Sequence, residues 1–188
     1  MCLIITSQTG FAELSERFLT DVWLANRDGF GLMYARNGCL HTWRGLPALD
    51  GILASIRRIP PGVPAAIHFR KATQGVVSSA NAHPHWVVPD RIALMHNGTI
   101  DDVPTPADGL SDTATFAGAV LRPLLASDPG LLERPAFVQW LAERVGHGNR
   151  LVVLSAGGRM VRVNGAAGTY RGALWFSKDP ARACEMAG

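Results

Sequence analysis

The sequence predicts a mixed α/β domain, and three observations predict it. Apolar residues recur at helical spacing in some stretches, they form short strand-like runs in others, and the two kinds interleave with no internal repeat or long linker between them. The 188 residues amount to about one domain, so residues 1–188 are expected to form a single one.

Taken in order, residues 2–7 read as a strand, and Phe11, Leu14, Phe18 and Val22 follow at helical spacing, predicting an amphipathic helix that ends near Ala25. Asn26–Gly31 breaks that pattern. Leu32–Arg36 and Cys39–Arg44 then flank Asn37-Gly38, the pair that favours a type I′ turn, so a β-hairpin is expected. Leu49, Ile52, Leu53 and Ile56 make a second helical stripe, stopped by Pro60-Pro61-Gly62 ahead of a buried-type strand at Ala65–Phe69. Residues 71–90 read as a long loop and 91–95 as a strand ending at His96-Asn97-Gly98. Ser111 is placed to cap a helix over 112–126, and a further helix is expected over 135–146. Leu151–Leu154, Met160–Val163 and Ala173–Phe176 complete the strands, with Gly157-Gly158 turning the first pair.

Composition removes several classes of function. Hydrophobic residues make up 47% and charged residues 18%, which suits a packed core and excludes a disordered or coiled-coil chain. The net charge is +3 and the pI about 9.1, yet no basic run exceeds Arg57–Arg58, so nucleic-acid binding is not signalled. Leu3-Ile4-Ile5 is far shorter than the core of a signal peptide, and no stretch approaches the ~20 residues of a membrane span. A soluble, cytoplasmic protein without a membrane partner is expected. Cys2, Cys39 and Cys184 are an odd number without close spacing, so no disulfide framework or Cys-x-x-Cys metal knuckle is available.

Cys2 follows the initiator Met directly. Removal of Met1 would leave a thiol and an α-amine on one residue, and an amine with a pKa of ~8 can take the proton of its own side chain. The alternative is a small hydrophobe opening a buried strand. Arg70 ends the strand Ala65–Phe69, where its planar fork suits a carboxylate and Thr73 can add a hydroxyl; a structural ion pair is the alternative. Asn97-Gly98 is either a turn or a pair of donors, side-chain amide and backbone N–H, for a tetrahedral oxyanion. Asp112 either favours a helix N-terminus by its charge or holds an ammonium. His83-Pro84-His85 lacks a third nearby ligand and reads as loop histidines, so no metal is expected. Cys39 and Cys184 have no chemical case, and Trp43, Trp86 and Trp140 read as core rather than as a partner surface.

In this order, Cys2, Arg70 with Thr73, Asn97-Gly98 and Ser111-Asp112 resemble the class II glutamine amidotransferase domain of the N-terminal-nucleophile hydrolases. The resemblance extends to Asp28-Gly29-Phe30-Gly31, to Asn81-Ala82-His83-Pro84 and, loosely, to Leu174–Ser177. It implies an α+β fold, a four-layer αββα sandwich of two antiparallel sheets between helical layers. It also implies Cys2 as nucleophile with its own α-amine as base, Asn97 and Gly98 as oxyanion donors, and no cofactor or metal. Arg70, helped by Thr73, would bind the α-carboxylate of glutamine or a γ-glutamyl small molecule, and Asp112 its α-ammonium. The implied settings are a glutaminase working with a separate synthase subunit, or a stand-alone hydrolase of γ-glutamyl amides, which the absence of a fused synthase favours. A non-catalytic glutamine-binding or assembly protein on the same fold is the alternative from another class, and removal of Met1 separates the two.

Overall fold

The computed structural model describes residues 2–72, 76–101, 103 and 109–181. Met1, Thr73 and Cys184 lie outside the described residues. In chain order the elements are β1 (Leu3–Ser7), α1 (Glu16–Ala25), β2 (Phe30–Arg36), β3 (Cys39–Gly45), α2 (Leu49–Arg57), β4 (Ala65–Phe69), β5 (His85–Val88), β6 (Ile92–Asn97), α3 (Asp112–Thr115), α4 (Arg122–Ser127), α5 (Pro135–Val145), β7 (Arg150–Ser155), β8 (Met160–Val163), β9 (Thr169–Arg171) and β10 (Leu174–Phe176). A π-helical stretch, Phe116–Leu121, joins α3 to α4.

Two antiparallel sheets form the centre, one ordered β3-β2-β4-β1-β10-β9 and the other β5-β6-β7-β8. Strand alternation sorts the core into three apolar layers. Leu3, Ile5, Ile67 and Phe69 pack against Leu19, Val22, Ile52 and Ile56 of α1 and α2. Their strand neighbours Ile4 and Ala66, with Met33 and Trp175, face Ala93, Met95, Val152 and Leu154 of the second sheet. Leu94, Leu151 and Val153 then pack under Phe116, Leu121, Leu125 and Leu141. The result is helix, sheet, sheet, helix. Both faces of β1 and β4 are covered, so every residue of these strands is buried and apolar side chains stand on both faces.

Local chemistry accounts for most boundaries. Asn37 and Gly38 both have positive φ, 52° and 75°, as a type I′ turn requires. The Ser111 side chain accepts from Ala114 N, capping the helix that the sequence places there.

Several elements differ from expectation. The first helix begins only at Glu16, because Ser15 Oγ accepts from Phe18 N and starts it there. Phe11 and Leu14 reach the same core cluster from a preceding turn, so their helical spacing reflects packing and not a helix. The segment expected as one loop over 71–90 contains β5, which pairs with β6 through His85 opposite Leu94 and Trp86 opposite Ala93. β6 continues through His96 and Asn97, opposite Leu151 and Arg150, instead of turning there. β9 falls outside the expected strands and pairs with β10. Trp43 and Trp140 are exposed, whereas Trp86 packs partly on the inter-sheet cluster; the fully buried tryptophan is Trp175.

The Gly31 backbone is approached too closely for any side chain. A Cβ there would overlap the His83 carbonyl oxygen and stand 2.8 Å from Trp43 O. Gly31→Ala is expected to destabilise the protein by about 3 kcal/mol through overpacking, read as a lower urea midpoint at unchanged slope.

Candidate active site

Antiparallel pairing of β1 with β4 sets Leu3 opposite Phe69 and Ile4 opposite His68, which brings Cys2 beside the residues that follow Phe69. The Cys2 thiol lies 3.2 Å from Lys71 O and accepts from Lys71 N at 3.3 Å. Burial pushes the Cys2 thiol pKa up, and the Lys71 N–H with the charges of Arg70 and Lys178 pulls it part of the way back. A thiol in that position is poorly ionised on its own and gains reactivity from a base next to it.

Arg70 is buried at the end of β4. Asp28 and Gly29 hold its backbone: Arg70 N donates to Gly29 O at 2.8 Å, Asp28 N to Arg70 O at 3.0 Å, and Ala72 N to Asp28 Oδ2 at 2.8 Å. Gly29, at φ +151°, lies against Arg70, where an added Cβ would meet Arg70 Cβ at 3.4 Å. Through these contacts the Asp28–Gly31 motif shapes the site without entering it.

Asn81 is a tie between two loops. Its Nδ2 donates to Val76 O at 3.0 Å and Gly109 O at 2.8 Å, while its Oδ1 accepts from Ser111 N at 2.8 Å. That fixes the start of the helix carrying Asp112, whose Oδ2 accepts from Ile100 N and Oδ1 from Thr113 N, both at 2.7 Å. Cys2, Arg70, Gly98 and Asp112 thereby line one small cavity together with His83. Its volume is about 20 Å³, room for roughly one water and too small for an amino acid as it stands.

Gly98 has φ +141°, and a Cβ on it would overlap Asn149 Oδ1 and stand 2.9 Å from Asn149 Cγ. Only glycine fits. Asn97 is not among the lining residues; its Nδ2 donates to Ser177 Oγ at 2.8 Å, and the same hydroxyl accepts from Ile4 N at 2.9 Å. An amide nitrogen carries two hydrogens, and this bond uses one of them. Thr73, expected beside Arg70, lies outside the described residues.

His83 lies in the loop as expected, whereas His85 opens β5, and both side chains are buried. His83 Nδ1 stands 3.1 Å from His68, its ring is edge-on to both His68 and His85, and His85 Nδ1 is 2.8 Å from Arg44. Arg44 also donates to Ala82 O and Pro84 O, fastening this segment to β3. Burial holds His68 and His83 well below the ordinary imidazole range, and burial with the charges of Arg44 and Arg70 pushes His85 down to about 3. Among the described residues no three of His, Cys, Asp and Glu are grouped as a metal ion requires. No helix among them is long and apolar enough to cross a membrane.

Ser177, His96, Thr113 and Asn149 have no sequence signature of a functional role, and Asn81 has one only as part of Asn81-Ala82-His83-Pro84. Asn81 and Ser177 lie within segments that carry the resemblance, but nothing local in the sequence pairs Asn97 with Ser177 or His96 with Asn149.

No protein-family model matches the chain. It is 28% identical over 155 residues, 81% of its length, to the glutamine–fructose-6-phosphate aminotransferase (isomerizing) of Agrobacterium fabrum, spanning 22% of that protein. The protein of the same name from Geobacillus kaustophilus is 32% identical over 122 residues, 61% of this chain and 20% of its own. The Bacillus subtilis glutamine phosphoribosylpyrophosphate amidotransferase structure aligns over 100% of this chain and 44% of its own, with a TM-score of 0.51 at 12% identity. In sequence and in fold the chain resembles the class II glutamine amidotransferases. The structure of the allosteric regulatory enzyme of purine biosynthesis shares the fold as well, with a TM-score of 0.53 at 14% identity over 100% of this chain and 43% of its own. The chain spans about a fifth of the length of the curated relatives, so the resemblance concerns one portion of each of them. The two sheets between helical layers are the sandwich of that fold.

The buried imidazoles make stability depend on pH. Their folded pKa values lie below the ~6.5 of an unfolded histidine, so the unfolded chain binds more protons and stability falls as pH drops below ~6.5. For His85 the loss continues down to about 3. Each such histidine is expected to cost about 1.4 kcal/mol per pH unit across that window, read as a urea midpoint that decreases steadily from pH 7 to pH 5.

Proposed function

We propose that the chain cleaves the side-chain amide of glutamine or of a γ-glutamyl compound, with Cys2 as nucleophile after removal of Met1. One observation carries this reading: Cys2, Arg70, Gly98 and Asp112, far apart in sequence, line a single cavity. A fixed cation and a fixed anion beside a nucleophile match a substrate carrying an α-carboxylate and an α-ammonium, and such paired recognition rejects analogues lacking either group.

In the reaction, the Cys2 α-amine takes the thiol proton and Sγ attacks the amide carbon. Gly98 N–H and the second Asn97 Nδ2 hydrogen stabilise the tetrahedral oxyanion. Collapse breaks the C–N bond, the protonated α-amine gives its proton to the departing nitrogen, and a γ-glutamyl thioester remains on Sγ. Water, deprotonated by the same amine, hydrolyses the thioester and restores the thiol. The α-amine compensates for a thiol whose burial makes it a weak acid. Arg70 grips the α-carboxylate, assisted by Thr73, and Asp112 the α-ammonium; no metal or cofactor takes part in these steps. The nitrogen leaves as ammonia or as an amine, and a separate synthase subunit is the partner that would consume ammonia.

Glutamine and γ-glutamyl amide hydrolysis, followed by glutamate release, tests this. Cys2→Ala is expected to abolish turnover while retaining the native unfolding midpoint. Arg70→Ala is expected to raise KM by roughly 10- to 100-fold, the worth of a charge-assisted contact, with a smaller change in kcat. Unchanged turnover in Cys2→Ala, or an unchanged KM in Arg70→Ala, would reject the corresponding role.

A further inference from the structure

From the cavity, which His96 and Thr113 also line, a chain of buried side chains runs from Asp112 to the C-terminal end of α5. Thr113 Oγ1 is 2.7 Å from His96 Nδ1, His96 Nε2 is 2.7 Å from Asn149 Oδ1, and Asn149 Nδ2 donates to Val145 O. Thr113 and His96 are almost fully buried, and Asn149 is buried as well.

The hydrogens on this line are determined by its far end. A carbonyl oxygen only accepts, so the Asn149 atom that meets Val145 O must be its nitrogen, and its oxygen must face His96. An amide oxygen also only accepts, so His96 Nε2 carries a proton. Burial lowers the His96 pKa against the opposing pull of the Asp112 charge and the Asn149 bond, which leaves the ring neutral and its Nδ1 bare. The Thr113 hydroxyl has one hydrogen and two neighbours that accept it: His96 Nδ1 at 2.7 Å and Asp112 Oδ1 at 3.3 Å. With Nδ1 bare, the hydrogen goes to His96.

We propose that Asn149 is a positioning residue that holds His96 as the Nε2–H tautomer and so turns the Thr113 hydroxyl away from Asp112. Asp112 then accepts from two backbone N–H groups, Ile100 and Thr113, and keeps accepting capacity directed at the cavity it lines. The consequence for substrate rests on the reading of Asp112 as the ammonium partner. Loss of the Asn149 oxygen reverses the line: the ring moves its proton to Nδ1, donates to Thr113 Oγ1, and the hydroxyl turns to Asp112 and competes with the ammonium. Asn149 also fills the space where a Gly98 side chain would stand, so it borders both halves of the site.

The test uses Asn149→Leu, close to Asn in shape and without an acceptor, in the full chain. Imidazole nitrogen shifts read without substrate are expected to show His96 protonated on Nε2 in the native protein and on Nδ1 in the variant. KM for glutamine is expected to rise roughly five- to tenfold with kcat changing less. The rise is expected to disappear when Asn149→Leu is compared with its parent in a Thr113→Val background, where no hydroxyl remains to turn. A merely structural role would give the same rise in both backgrounds, and that result, or Nε2–H retained in the variant, overturns the proposal. Absence of glutamine hydrolysis in the native protein would instead remove the ammonium role of Asp112, with the tautomer still decided by the nitrogen shifts.

Discussion

The register of β1 on β4 is the constraint on which the candidate site depends. Cys2 directly precedes β1, so the position of its side chain is set by how that strand is paired. Leu3 opposite Phe69 and Ile4 opposite His68 leave the Cys2 thiol on the Lys71 backbone with Arg70 adjacent. A slip of one residue would exchange the two faces of β1, moving Ile4 from the inter-sheet core and Leu3 and Ile5 from the helical side. Both faces are apolar and closely packed, and the hydrogen bonds of Ile4 N to Ser177 Oγ and Ser177 N to Ile4 O add a second lock on the other edge.

The remaining residues are brought to that fixed point by polar side chains that bridge segments distant in sequence. Asp28 holds the stretch after Arg70, Asn81 joins the loop after β4 to the start of α3, and Ser177 links β1 to Asn97 across the two sheets. Each is worth about 1 kcal/mol as an ordinary hydrogen bond and more if a partner is left buried and unpaired. Their larger effect is geometric, because they stop loops from carrying Arg70 and Asp112 away from Cys2. Burial disfavours the charged imidazolium and keeps the four histidines at this end as neutral rings.

Where local chemistry decides structure, the sequence was legible. Asn37-Gly38 specified its turn, Ser111 its helix start and the run Ala65–Phe69 its strand, because a turn, a cap or a two-faced burial leaves its mark on adjacent residues. The site was legible for another reason: the spaced set from Cys2 to Asp112 resembles a known family. What remained hidden was non-local. β5 opens with a polar histidine that is buried against His83 and against Arg44, which its sequence neighbourhood does not pair it with. Phe11 and Leu14 mimic a helix because a turn and a helix pack into one cluster. Asn149 stands next to Gly98 through the pairing of β6 with β7, which no spacing in the sequence announces.

The central claim is that Cys2, freed of Met1, is a nucleophile that acts on a glutamyl group held by Arg70 and Asp112, which line the same cavity. Intact mass of the purified protein before and after an electrophilic glutamine analogue tests it most directly, with Cys2→Ala as control. The account predicts a mass lacking Met1 and a single adduct that the Cys2→Ala protein does not form. A retained Met1 with no adduct, or an adduct that persists in Cys2→Ala, would contradict it.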